Sequence, residues 1–370
     1  LLNKVEPLSP YGKERLKKVK SYTRGEEDKL EKEFNKMEKF IQFAANERDL
    51  IRNVEIAIHK MKNIKKILTN ALKGNILENV DFFELKVQGI LMQELNNYLK
   101  EFPSELAEYC LYDIEEIIKV LDPDNERIPT FYIYDSYSET LKEIRSRKRS
   151  VETKIFATKD VEQKSVLKDE RLEILVQEEQ EELKIREELT KTIFNYSERY
   201  LKNIEKIADL DFLMAKVRFA EEYNGIRPVI SKKLEIDAKG LVNIEVKEML
   251  NAKGKTFTPI DIKLGSGVTV ITGANMGGKS VALKTITENL LLFNCGFFVI
   301  ADEAKFPIVD FIFFISDDMQ DISKGLSTFG AEIVKLKEVD IFIERGNGFI
   351  VFDEFARGTN PKEVQKFVKA

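Results

Sequence analysis

The sequence predicts a multidomain chain, helical over residues 1–228 and α/β over 229–370. Three observations predict it. Up to about residue 224 apolar residues recur at steps of three and four, as helices with one buried face require. From residue 234 that period gives way to short β-branched runs alternating with helical stretches. Between the two regimes stand Asn224-Gly225, a helix stop, and Arg227-Pro228, which resists helix.

Within the helical part, Leu30, Phe34, Met37 and Phe40, then Ile51, Val54, Ile58, Met61, Ile64 and Ile67, keep helical spacing from Glu26 to about Leu72, where Gly74 and Asn75 break it. A second helix over about 78–100 stops at Phe102-Pro103. A third, capped by Ser104, covers Glu105 to Leu121, ahead of Asp122-Pro123-Asp124-Asn125. Ile128 to Tyr134 is β-branched and aromatic, a short strand or an extended linker, and the helical pattern resumes at Ser136. The most regular piece is 166–207, whose seam of Leu189, Ile193, Tyr196, Tyr200, Ile204 and Ile207 predicts a long helix lying along a partner helix. Asp209-Leu210-Asp211 opens the last helix on this reading.

Composition narrows the function classes. The 370 residues, 43% apolar, suffice for two or three domains with substantial cores. A net charge of −5 with 33% charged residues excludes a strongly basic nucleic-acid binder, so any such contact must come from local patches. Cys110 and Cys295 both sit in apolar settings, which points to a reducing, cytoplasmic compartment without disulfides. The single histidine, His59, lies in a helical stretch and reads as structural. No apolar run approaches membrane-spanning length and the N-terminus carries no signal pattern, so no membrane association is expected. The chain begins without methionine and ends at Ala370 inside a helical pattern, which suggests a fragment whose α/β part is C-terminally incomplete.

The chemistry is carried by Val268 to Ser280, a β-branched run leading into Gly273-Ala-Asn-Met-Gly-Gly278-Lys279-Ser280. This is G-x-x-x-x-G-K-S, a phosphate-binding loop in which glycines turn backbone N–H groups toward a β-phosphate, Lys279 reaches β- and γ-oxygens, and the Ser280 hydroxyl ligates Mg²⁺. The helix beginning at Lys279 aims its positive end at the same anion. Downstream, Phe349 to Phe352 reads as a buried parallel strand ending in Asp353 and Glu354. Beside the loop's own strand, Asp353 would hold Mg²⁺ through water and Glu354 would orient and deprotonate an attacking water. Between these halves, Ser327 in Gly325-Leu-Ser-Thr-Phe-Gly330 starts an apolar-periodic stretch, either as a simple N-cap or as an anion site that completes a neighbour's nucleotide site.

Taken together, G-A-N-M-G-G-K-S, L-S-T-F-x-x-E and D-E-F-A-R-G-T resemble the MutS family of DNA mismatch repair and recombination ATPases, in order and in separation. The resemblance implies an ABC-like P-loop ATPase domain with a mostly parallel sheet, preceded by a helical lever or arm domain. It implies a homodimer that sandwiches ATP and Mg²⁺, with Ser327 contacting the γ-phosphate bound by the partner. It assigns Gly273, Asn275, Met276, Gly277, Gly278, Lys279, Ser280 and Val281 to the nucleotide and Ser280 and Asp353 to the metal. Lys279, Glu354 and Ser327 take the catalytic roles. Phe257-Thr258-Pro259 is similar to the segment that packs on adenine, although Phe257 reads equally as a core aromatic.

Departures from the family pattern at Ala274, Val281, Leu326 and Asn360-Pro361 suggest a divergent branch. The family's mismatch-reading module has no room ahead of the helical part. Phe82-Phe83-Glu84 matches its F-x-E wedge only by letters and sits in a helical pattern, as core. On this reading the protein acts on double-stranded or branched DNA in mismatch repair or recombination control. Lys142, Arg145, Arg147, Lys148 and Arg149, and a second cluster at Lys13, Arg15, Lys17, Lys18 and Lys20, are the candidate phosphate contacts, or else solvated helix faces. The alternative is an ATPase that remodels a protein partner, as MutS-related proteins associated with cobalamin-dependent aminomutases do. A scaffold that binds nucleotide without hydrolysing it is the third reading, and Glu354 weighs against it.

Overall fold

The computed structural model describes residues 2–125, 127, 131–274, 277–316, 341–344 and 346–353. Helices α1 (Pro10–Lys17), α2 (Glu27–Asn46), α3 (Arg48–His59), α4 (Lys65–Leu72), α5 (Asn79–Leu99), α6 (Glu115–Leu121), α7 (Glu139–Ala157) and α8 (Val161–Tyr223) come first. They are followed by β1 (Val229–Ser231), β2 (Ile236–Leu241), α9 (Ile244–Ala252), β3 (Ile260–Leu264), α10 (Lys279–Asn294), β4 (Glu303–Pro307), β5 (Phe311–Ser316) and β6 (Gly348–Asp353). The secondary structure thus turns from helix to strand at Val229. Packing divides the chain into one unit of 7–15 and 47–212 and another of 1–6, 16–46 and 213–370.

In the first unit α5 packs against α3 and α6, and its buried Phe82, Leu85, Met92 and Leu95 form the core with Ile58, Ile117 and the α8 seam. Phe82 is a core residue, as its helical setting indicates. Leu189, Ile193, Tyr200, Ile204 and Ile207 of the seam are buried, and Tyr200 Oη donates to Leu85 O at 3.2 Å. Gly89 permits that approach, because a Cβ there would lie 2.7 Å from the Tyr200 hydroxyl.

Three expected helices differ from the observed ones, and in the first two side chains from elsewhere take the backbone groups that a helix would have used. The stretch 26–72 is broken at Glu47 and again at 60–64, where Tyr11 Oη donates to Lys62 O and accepts from Ile64 N, and Gln88 Oε1 accepts from Lys62 N. The helix expected over 105–121 is a 3₁₀ turn at Ser104–Tyr109 followed by α6; Asn96 accepts from Leu111 N, and Asn203 bonds both backbone groups of Tyr112. Asp209-Leu210-Asp211 opens no new helix, since α8 runs unbroken for 63 residues. Asp211 instead accepts from Leu8 N, Ser9 N and Ser9 Oγ, fixing the entry to α1. Of the segment 128–134, residues 131–134 are described and form no strand.

In the second unit the sheet order is β1-β4-β2-β3, with β5 and β6 as a separate parallel pair. The pairings are parallel for β1–β4 and β5–β6 and antiparallel for β2–β4 and β2–β3, so the sheet is mixed rather than mostly parallel. The reason is legible in β3, where half-buried Ile260, Ile262 and Leu264 alternate with exposed Asp261 and Lys263. Such alternation suits an antiparallel strand wetted on one face. The α2 face of Leu30, Phe34, Met37 and Phe40 is buried, Phe34 lying 6.0 Å from the Phe293 ring of α10 and 6.1 Å from that of Phe298.

Candidate functional site

The expected phosphate loop ends at Gly278, whose φ of 82° and ψ of 11° place it in the left-handed region as the N-cap of α10. Glycine reaches that conformation without the steric cost a side chain adds. The next residues therefore turn directly into helix, leaving the first N–H groups of α10 without carbonyl partners in the helix itself. Gly277 is constrained differently: its N–H bonds Ala274 O at 3.0 Å, and a Cβ would lie 2.8 Å from that same oxygen. Lys279 Nζ donates to Gly273 O and Ala274 O, each at 2.9 Å, so the ammonium sits in the mouth of its own loop.

Ser280 Oγ donates to Asp353 Oδ1 at 3.0 Å, joining two residues 73 positions apart. Asp353 ends β6, where its Cα is in register with Ser316 of β5. The pair of oxygens suits a hard cation such as Mg²⁺, which takes one or two protein oxygens and keeps several waters. The structure thus brings Lys279, Ser280 and Asp353 together with Gly273, Gly277 and Gly278, and Val281 follows in the first turn of α10. Asn275, Met276, Ser327 and Glu354 lie outside the described residues. Phe257 is half-buried and Thr258 exposed on the segment leading into β3.

Two expectations about the strands are corrected. Val268 to Thr272 is not assigned to a strand, and Val268 and Val270 are 94% and 77% exposed. β-branched residues favour a strand only where a ladder and a packed face receive them, and no ladder partner is present among the described residues. The Asp353 strand is parallel, as expected, but its partner is β5, Phe311–Ser316. Only Val351 of its apolar run is buried, and Phe352 is exposed.

Sequence reasoning missed the polar residues that hold α10. Asn289 Nδ2 donates to Val242 O at 3.1 Å and its Oδ1 accepts from Ile300 N at 2.8 Å, so one amide ties α10 to two flanking segments. Glu288 accepts from Asn243 Nδ2 at 2.8 Å; burial, with Glu245 nearby, pushes its carboxyl above the ordinary carboxylate value. An asparagine inside an apolar helical run was the available signal, since a buried amide demands partners.

The basic cluster of α7 is largely spent on internal pairs. Arg145 is 15% exposed and bonds Glu178, Asp135, Glu182 and Ile133 O, and Lys148 pairs with Glu178. Lys142 pairs with Glu139, Arg147 reaches Gln177 at 3.5 Å and Arg149 reaches Asp135 at 3.5 Å; these three are exposed. Arg15 of the second cluster bonds Asp209, while Lys13, Lys17, Lys18 and Lys20 are exposed. Among the described residues no helix is long and apolar enough to cross a membrane.

Comparison with known proteins bears out the resemblance. Residues 269–366 match the family model described as MutS domain V. Curated relatives include the protein named Endonuclease MutS2 of Shouchella clausii (strain KSM-K16), 33% identical over 201 residues, covering 53% of this chain and 24% of the relative. The protein of the same name from Caldicellulosiruptor bescii is 34% identical over 205 residues, covering 54% of this chain and 25% of its own length. That of Geobacillus sp. (strain WCH70) is 31% identical over 200 residues, with 53% and 25% covered. The aligned part spans about a quarter of the length of these relatives.

Proposed function

On the match of residues 269–366 to MutS domain V, we propose that the chain is a MutS-family ATPase that binds and hydrolyses ATP as a homodimer and acts on DNA in repair or recombination. The observation that carries this reading is the Ser280–Asp353 bond, which sets a hydroxyl and a carboxylate side by side at the start of α10. The free N–H groups at that helix end receive the β-phosphate. Lys279 exchanges its two carbonyl partners for phosphate oxygens. Ser280 and Asp353 hold Mg²⁺, which when bound neutralises phosphate charge. Glu354, next after Asp353, orients and deprotonates the attacking water, and Ser327 of a second copy completes the γ-phosphate site. The adenine packs on Phe257 and Thr258.

Hydrolysis by full-length protein tests the reading. Lys279→Ala should abolish turnover and weaken nucleotide binding, whereas Glu354→Gln should abolish turnover and keep binding. Wild-type-like turnover in Glu354→Gln would remove Glu354 as the base, and the same result in Lys279→Ala would remove the site altogether. Ser327→Ala should slow turnover while leaving nucleotide binding by the monomer intact.

A second reading, in which the ATPase remodels a protein partner such as a cobalamin-dependent aminomutase, is favoured by one observation. Arg145 and Lys148, the least exposed cations of the α7 cluster, already carry carboxylate partners. A phosphate backbone would have to compete with them.

A further inference from the structure

We infer that Lys216 is a positioning residue that couples the phosphate-loop helix α10 to the long helix α8; the inference rests on the nucleotide-binding reading above. α10 presents Lys279 and Ser280 at one end, and its other end closes at Asn294, Cys295 and Gly296. There Lys216 of α8, 2% exposed, donates to Gly296 O at 3.1 Å, pairs with Glu33 of α2 and lies 5.4 Å from the centroid of the Phe297 ring.

The turn it grips has little freedom. Gly296 has φ 74°, and a Cβ on it would lie 3.0 Å from Tyr22 Cε2 and 3.2 Å from Glu33 Cγ. Tyr22 N donates to Asn294 O at 2.6 Å, and Asn294 Nδ2 donates to Val309 O at 2.7 Å just ahead of β5. Stability alone does not require a buried cation here, because an apolar side chain of similar volume commonly serves as well or better. What the ammonium adds is direction. It satisfies a carbonyl at the negative end of α10 and fixes that end to a particular turn of α8.

A helix held this way moves as a rigid rod. Phosphate drawn onto the N-terminal end of α10 shifts the rod, and Gly296 carries the shift to Lys216. α8 is one uninterrupted helix from Val161 to Tyr223, so displacement of its last turns is a displacement of the element that forms the arm. Coupling of this kind requires that both sites bias one shared element, and the Lys216–Gly296–Glu33 node is where α10, α8 and α2 share theirs.

Amide hydrogen exchange of the full chain, with and without saturating Mg-ATP, reads the coupling directly. In wild type, nucleotide should change exchange in residues 213–223 by about fivefold or more. Lys216→Met should lose that response while still binding nucleotide, and Lys216→Arg should restore it. Glu33→Gln, milder for folding because Glu33 is partly exposed, should reduce the response and serves as the probe if Lys216→Met does not fold. A response that persists in Lys216→Met, or in Glu33→Gln where that variant is the probe, overturns the inference. So does a wild type that binds nucleotide without any change in 213–223. Failure of the wild type to bind nucleotide at all overturns the nucleotide reading itself, and the coupling with it.

Discussion

Asp353 and Asp211 do opposite work with the same side chain. Asp353 is half-buried and shares one hydrogen with Ser280, leaving the rest of its carboxylate for another partner. Asp211 is buried and fully engaged by Leu8 N, Ser9 N and Ser9 Oγ. Replacing Asp353 by Asn should therefore spare stability and raise the Mg²⁺ concentration for half-maximal ATP hydrolysis by about 10- to 100-fold, the usual cost of disturbing a metal's supporting shell. An unchanged Mg²⁺ midpoint would take Asp353 out of the metal site. Asp211→Ala should do the reverse, costing about 3 kcal/mol of stability because buried donors lose a charged acceptor. Urea unfolding monitored by helical circular dichroism would measure it, and a loss below about 1 kcal/mol would mean that water replaces the carboxylate.

Element by element, what the sequence made legible was whatever depends on neighbours along the chain. The seam of α8, the long helix itself and the loop-to-helix junction at Gly278 are all local patterns, and they appear as expected. The break at 60–64, the 3₁₀ turn at 104–109 and the unbroken passage of α8 through Asp211 depend on Tyr11, Gln88, Asn96, Asn203 and Ser9, residues distant in sequence that no local period could supply. In the site, the pairing of Ser280 with Asp353 follows the motifs, while β5 as Asp353's partner strand and Asn289 as the anchor of α10 are tertiary facts. The α7–α8 pair carries its own prediction. Its apolar seam is short, Ile144, Val151 and Ile174, so charge contributes visibly to it. Burial opposes ionisation of Glu178, but hydrogen bonds from Lys148 and Arg145 outweigh it and hold the carboxyl below its ordinary 4.5. A depressed carboxylate stabilises fully above its unfolded value and is lost as pH falls through the folded one. The α7–α8 connection at 158–160 should therefore become more susceptible to acid-tolerant protease as pH drops below 4.5, with Glu178→Gln flattening the profile. A profile identical in the variant would show that other groups govern the acid transition.

For the whole molecule the open choice is between DNA and a protein partner, and the distribution of charge sets a measurable difference between them. With a net charge of −5, non-specific attraction to DNA must come from exposed clusters, and pairing has removed Arg145 and Lys148 from that inventory. Lys142, Arg147 and Arg149 remain exposed, Arg149 with 72% of its side chain in solvent. If these hold phosphates, each contributes counterion release, and neutralising any one should lower the salt slope of duplex binding by about 1 without altering basal ATP hydrolysis. Arg145→Met should behave differently, loosening α7 against Glu178 and Glu182 and lowering the unfolding temperature. Titrating full-length protein with homoduplex, mismatched and branched DNA at two salt concentrations separates the readings. Stimulation of hydrolysis that weakens with salt, and a slope that drops in Arg149→Gln, would place phosphates on this face of α7. Robust hydrolysis indifferent to every DNA, with a slope unmoved by all three exposed cations, would mean that the arm meets a protein, where the carboxylate pairs of Arg145 serve to keep α7 and α8 rigid against it.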